Sequence, residues 1–67
     1  METFGERLLM LRRDRNISQI ELAKFLSVGK SSISLWETNK SEPTLSKLVK
    51  MSKFFKVSID YLAGLEN

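Results

Sequence analysis

Sixty-seven residues, 42% hydrophobic and 28% charged, are enough for one domain over 1–67 and not for two. There is no cysteine and no histidine, which leaves no disulfide and no zinc site. With no clustered carboxylates and no phosphate loop either, no nucleophile stands beside a base, so no enzyme, cofactor or metal is expected. A chain this short buries only about 60% of its unfolded surface, so close helix packing must carry the fold.

No apolar run approaches the roughly 20 residues of a membrane span. The N-terminus also lacks the basic stretch and apolar core of a signal peptide. The absence of cysteine suits a reducing compartment, and a soluble cytoplasmic protein is expected. Eleven Lys and Arg against eight Asp and Glu give a net charge of +3. Arg7, Arg12, Arg13 and Arg15 fall in the first segment, and Lys24, Lys30 and Lys40 lie in or beside the central one, where they could neutralise a polyanion. The same charges would also serve as a solvated face.

The first helix opens at Thr3 with Glu6 three residues on, a capping box. It runs to about Arg15 with Phe4, Leu8 and Leu11 at helical spacing, and Asn16 suits a left-handed exit. The second has Ser18 as N-cap, Glu21 at the third position and Ile17 placed to staple onto Leu22, and it ends near Leu26. The third begins after Gly29 and continues to about Thr38, where Asn39 can turn left-handed and Pro43 blocks continuation. The fourth starts at Thr44 and places Leu45, Leu48, Val49, Ser52 and Phe55 on one face. A last short helix, capped by Ser58, holds Ile59, Tyr61 and Leu62 before Gly64. The only β-like run, Val57 to Tyr61, is too brief to pair. The fold class is therefore all-α, a compact bundle of five short helices.

Residues 18–38 carry the functional signal. Leu22, Ala23, Leu26, Val28, Ile33 and Trp36 make a buried side, while Lys30, Ser31, Ser34 and Leu35 point outward on the second helix of the pair. Two short helices interlocked across a tight turn are the layout of a DNA-binding helix-turn-helix. Ala23 fits it, because a small side chain lets the second backbone come close.

Lys30 opens a helix whose first turn holds no acid, opposing the helix dipole by about 0.3–1 kcal/mol. A local rule broken in this way marks functional sites, and a phosphate or guanine edge would turn the penalty into attraction. The plain alternative is a lysine extended into water. Leu35 could pack on a thymine methyl group, or be one more exposed leucine. The serines Ser31, Ser32 and Ser34 permit base contacts without defining a target. Leu9, Met10 and Phe25 fall off the buried faces and are expected to be partly exposed, either as a contact surface or as ordinary surface apolar residues.

These residues together resemble the Cro/Xre-type regulators, the lambda-repressor-like DNA-binding domains. The likeness runs from Phe4 to Gly64 through Phe4-Gly5-Glu6-Arg7-Leu8, Ile17-Ser18-Gln19, Glu21-Leu22-Ala23, Ile33-Ser34-x-Trp36-Glu37, Glu42-Pro43 and Val57-Ser58-Ile59-Asp60-Tyr61-Leu62. It implies that Gln19 caps the second helix against a phosphate and braces the first base-reading side chain. It further implies that Lys30 and Ser31 touch base edges, with Ser34 and Leu35 on the next outward turn. Asn39, Lys40 and Ser41 match the phosphate-contacting loop, and Arg12 and Glu37 match a structural ion pair. The chain departs from the family pattern in having Ser27 where glycine is common in the turn, and Gly29 where a serine or threonine cap is common. Ser27 must then accept a positive φ, at a cost of about 1 kcal/mol.

The expectation is a sequence-specific double-stranded DNA-binding transcriptional regulator, a repressor, reading the major groove with its third helix as a homodimer. Tyr61, Leu62 and Leu65 are the expected dimer contacts. No membrane and no small-molecule site is expected. The alternative is a helical protein-interaction module or antitoxin-like partner that keeps the bundle without DNA, supported by Leu9, Met10 and Phe25.

Overall fold

The computed structural model describes residues 2–65, which form α1 (Phe4–Asp14), α2 (Gln19–Leu26), α3 (Lys30–Glu37), α4 (Leu45–Phe55) and α5 (Ile59–Leu62), with no strand among the described residues. Four of the five starts are set by a hydroxyl. Thr3, Ser18, Thr44 and Ser58 each accept the backbone N–H of the third helical residue. At α1 and α2 the box is reciprocal, with Glu6 accepting from Thr3 N–H at 2.9 Å and Glu21 from Ser18 N–H at 2.8 Å. These backbone bonds, and after them the cap hydroxyls, hold both carboxyls below the usual carboxylate range. Their contribution is therefore present above that range and is lost as pH falls through the lowered native values.

The exits are left-handed. Asn16, Ser27, Asn39 and Lys56 have φ of 56°, 59°, 61° and 57°. Asparagine accepts this conformation more readily than serine or lysine, so the strain sits at Ser27, in the turn between α2 and α3, and at Lys56.

Leu8, Leu22, Leu26, Ile33, Met51 and Leu62 are fully buried, with Ala23, Trp36 and Phe55 beside them. Every helix contributes a side chain to this core. Val28, expected inside, is only partly buried and packs on the edge of this core. α4 differs more from its sequence reading. Its buried face is Leu48, Met51 and Phe55, spaced three and four apart, and Leu45 at its first position is 69% exposed. α4 packs against α2 and α5, and its core side chains Met51 and Phe55 lie in its second half.

α1 meets α3 at a contact without side-chain spacers. A Cβ on Gly5 would lie 2.5 Å from Glu37 O and 2.6 Å from Trp36 O, so only glycine allows this approach. Gly5 N–H also donates to Asn39 Oδ1 at 3.0 Å.

Three of the four arginines expected to face a polyanion are engaged within the fold. Arg7 is buried with its guanidinium 4.4 Å from the Tyr61 ring centre and its Nε 3.8 Å from Glu2. Arg15 donates to the carbonyls of Phe54 and Phe55 at 3.3 and 3.0 Å, closing the C-terminus of α4, and Arg12 pairs with Glu37. Lys47 closes α2 in the same way as Arg15 closes α4, through Leu26 O at 2.7 Å. Helix C-termini leave carbonyls unpaired and carry partial negative charge, so a nearby cation is drawn to them.

Two substitutions should move stability in opposite directions. Gly5→Ala should lower it by about 1–3 kcal/mol, since the added methyl meets backbone that cannot turn aside. Ser27→Gly should raise it by up to about 1 kcal/mol by relieving the left-handed strain. Urea unfolding of both variants checks the pair. An unchanged midpoint for Gly5→Ala would mean that α1 does not sit against the end of α3.

Candidate nucleic-acid interface

α2 turns into α3 through Ser27 in the left-handed region, where Val28 N–H donates to Ala23 O at 3.0 Å and stops α2 cleanly. Ala23, 3% exposed, lies in the core that the two helices share. Gly29 then opens α3 without any side-chain cap. The amide end of α3 is thus blocked by no side chain of its own, and Lys30 adds a formal charge there. Ile33 and Trp36 anchor the inner side of α3 in the core, which leaves Lys30, Ser31, Ser34 and Leu35 exposed on the other side.

These four side chains line one open groove of about 420 Å³ together with Gln19, the first residue of α2. Four of its five lining residues are polar, and the fifth, Leu35, is 42% exposed. A lysine, two hydroxyls, an amide and one aliphatic group offer donors, acceptors and a methyl-sized apolar contact, the set needed to read base edges.

Glu37, at the far end of α3, is the hub beneath this groove. Arg12 Nε donates to its Oε2 at 2.6 Å and Arg12 Nη2 to its Oε1 at 3.1 Å, a bidentate pair whose side chains are 12% and 5% exposed. Arg12 Nη1 also donates to Ile17 O at 3.0 Å, and Gln19 Nε2 donates to Glu37 Oε1 at 2.9 Å. Residue types alone gave no sign of the link from Gln19 to Glu37, because it closes only when the start of α2 meets the end of α3.

The loop after α3 lies apart from the groove and lines a separate hollow of about 570 Å³ with Phe4 and Leu48. Asn39, expected to hold a phosphate, is exposed, and its side chain reaches the start of α1. Its Oδ1 accepts Gly5 N–H and its Nδ2 donates to Thr3 Oγ1 at 2.8 Å, clamping the start of α1. The amides of Lys40 and Ser41 are engaged by Leu35 O at 2.9 and 3.4 Å, which leaves the exposed Lys40 ammonium and the Ser41 hydroxyl as the groups this loop can offer.

At the C-terminal end the expected contact set needs correction. Leu62 is 0% exposed and belongs to the core, so it has no surface for a partner. Its spacing from Ile59 turns it inward while Leu65, past the left-handed Gly64, is 77% exposed. Tyr61 is half-buried under Arg7. Leu9 is half-buried, and Met10 and Phe25 are exposed, with the Phe25 ring 4.4 Å from that of Phe54. Among the described residues no helix is long and apolar enough to cross a membrane, and no group of three His, Cys, Asp or Glu could hold a metal.

Two helices locked through Ala23 across a left-handed turn, the second with a polar outer face, define a helix-turn-helix. A family model described as helix-turn-helix matches residues 8–62. The HTH-type transcriptional activator BcrR of Enterococcus faecalis is 44% identical over 63 residues, 94% of this chain and 31% of that protein. The HTH-type transcriptional regulator ImmR of Bacillus subtilis (strain 168) is 34% identical over 62 residues, 92% of this chain and 49% of that one. Among solved structures, the P22 c2 repressor protein in complex with synthetic operator 9T superposes with a TM-score of 0.91 at 33% identity, covering 98% of this chain and 100% of that chain. The Bacillus subtilis biofilm regulator SinR in complex with DNA does so with a TM-score of 0.79 at 33% identity, covering 90% of this chain and 97% of that one. The chain belongs to the helix-turn-helix family, in its Cro/Xre-type branch. It spans 31% to 55% of the length of the curated relatives it matches.

Arg12 and Glu37 should be strongly coupled, because either one left alone is a buried charge without its partner. A double-mutant cycle to alanine, read by urea unfolding, should return more than about 0.5 kcal/mol of coupling. Each single substitution should cost about 3–5 kcal/mol. Coupling within error of zero would reduce the pair to a surface contact.

Proposed function

We propose that this chain is a sequence-specific double-stranded DNA-binding transcriptional regulator, a repressor, bacterial or phage-encoded and acting in the cytoplasm. The observation that carries the reading is the groove on the outer side of α3, where Lys30, Ser31, Ser34 and Leu35 stand exposed beside Gln19 while the inner side is core. Two of the structures it resembles, the P22 c2 repressor and SinR, are complexes with DNA. Repression is supported by the match over the whole of the P22 c2 repressor chain.

In this reading α3 enters the major groove. Lys30 donates to a guanine edge or a phosphate, Ser31 and Ser34 bond to base edges, and Leu35 packs on a thymine methyl group. Gln19, Lys40 and Ser41 hold backbone phosphates and set the register. One recognition helix reads only a few base pairs, so the working unit is a two-fold dimer on half-sites about 34 Å apart. Leu65, with Tyr61 beside it, supplies the contact surface. The rival reading, a protein-interaction module, rests on the exposure of Met10 and Phe25. A chain that shifts no duplex even at low salt would favour it.

Selection of bound sites from random duplexes tests the proposal. The expected result is a two-fold symmetric site with a guanine and a thymine in each half. Recovery of unenriched DNA would refute it.

Lys30→Ala and Leu35→Ala should then separate charge from shape. Lys30→Ala should relax preference at one base pair, or lower the salt slope by about 1 if it touches phosphate. Leu35→Ala should leave the salt slope unchanged and weaken discrimination at the thymine by about 1 kcal/mol. Both should melt as the parent does, because neither side chain is in the core. Binding of both variants that is indistinguishable from the parent on every sequence would remove α3 as the reading helix.

A further inference from the structure

α1 begins with backbone N–H groups that have no partner inside the helix. Two of them are met by side chains of different origin. Glu6 N–H donates to Thr3 Oγ1 at 3.2 Å, in the local cap, and Gly5 N–H donates to Asn39 Oδ1 at 3.0 Å, from 34 positions along the chain. Asn39 is thus a second cap for α1, supplied from beyond the end of α3. The other end of its amide donates to Thr3 Oγ1 at 2.8 Å, and that hydroxyl donates in turn to Glu6 Oε1 at 3.1 Å. The direction of these bonds is fixed, because Gly5 N–H can only donate and an ionised Glu6 can only accept.

Asn39 is also the left-handed residue at the exit of α3, with φ of 61°. Its own N–H donates to Trp36 O at 3.1 Å and that of Lys40 to Leu35 O at 2.9 Å, the paired bonds of a left-handed helix exit. The backbone bonds fix the loop relative to α3, and the side-chain bonds fix it relative to α1. One residue therefore holds the chain against both helices at the point where Lys40 and Ser41 leave the frame. A loop released from α1 would have to be ordered again on binding, and that cost weakens association.

We propose that Thr3 and Asn39 are positioning residues for DNA binding: by clamping the exit of α3 to the start of α1, they set where Lys40 and Ser41 meet the phosphate backbone. Their effect falls on affinity and not on base preference, because the groups they place contact phosphates. The proposal rests on the DNA-binding function argued above. It gives the Asn39 amide a part in holding the loop, in place of the direct phosphate contact that the family resemblance implied.

The test compares affinity, salt slope and discrimination on the selected site and its single-base variants. Asn39→Gly keeps the left-handed exit, which glycine adopts without strain, and removes the clamp. Thr3→Val keeps the branched shape and removes the hydroxyl, and Thr3→Ser restores it. Asn39→Gly and Thr3→Val should weaken binding to every sequence by the same factor, about three- to tenfold, while Thr3→Ser binds as the parent does. Both leave all charges in place, so the salt slope should stay at the parent value, whereas Lys40→Ala should lower it by about 1. In a chain that already carries Lys40→Ala and Ser41→Ala, neither should weaken binding further. In the free protein, the Gly5 and Lys40 amide protons should exchange faster in Asn39→Gly than in the parent.

A folded Asn39→Gly variant with the parent's affinity, or one that weakens binding equally with and without Lys40 and Ser41, would overturn the proposal even if Thr3→Val does not fold. A parent protein that binds no duplex would instead overturn the DNA-binding function, and the positioning role with it.

Discussion

The presentation of α3 depends on one buried carboxylate. Glu37 receives Arg12 from α1 and Gln19 from α2, so three helices converge on a single side chain at the end of α3. Two charges removed from water gain only if their geometry is good and the remaining lone pairs are satisfied. Here the bidentate pairing and the amide meet that condition. Just above it, Gly5 lets the backbone of α1 rest on the carbonyls of Trp36 and Glu37, and Asn39, two residues past α3, holds the start of α1 through Gly5 N–H and Thr3 Oγ1. The end of α3 is thus held by packing, an ion pair and an amide clamp. Its start is left free of caps, where a ligand can use it.

Small size explains why so many polar side chains are committed to the frame. With no disulfide or metal to staple the chain, its ends and turns are secured by side chains that reach across to other helices. Arg15 and Lys47 close α4 and α2 by donating to terminal carbonyls, and Ser52 Oγ donates to Val57 O at 2.6 Å. Each such bond contributes modestly, about 0.5–1.5 kcal/mol. Each also satisfies a carbonyl that would otherwise lie unpaired at a helix end.

The charge balance reads differently once the frame is known. α4 and its exit carry Lys47, Lys50, Lys53 and Lys56 with no acid between Pro43 and Ile59, which is more positive charge than the whole chain's net of +3. The rest of the molecule is therefore not net basic. In the proposed function, affinity for a polyanion comes from where a few groups stand, namely Lys30 at an uncapped helix start and Lys40 in the loop after α3, and not from bulk charge.

Helix starts, the left-handed exits at Asn16 and Asn39 and the outward set on α3 were legible in the sequence because each depends on residues within four positions of one another. Thr3 with Glu6, Ser18 with Glu21, and the spacing of Ile33 and Trp36 against Lys30 and Ser34 state their geometry locally. What only the tertiary structure decided involves residues far apart in the chain. The inward turn of Leu62, the choice of Met51 over Leu45 for the core, the capture of Arg7 by Tyr61, the diversion of Asn39 to Gly5 and the bond from Gln19 to Glu37 all require knowing which helices meet. Periodicity names a helix's apolar side to within a turn. A neighbouring helix then selects the part of that side that is buried, because burial and hydrogen bonding are settled by contact, and contact between helices is not encoded in any one of them.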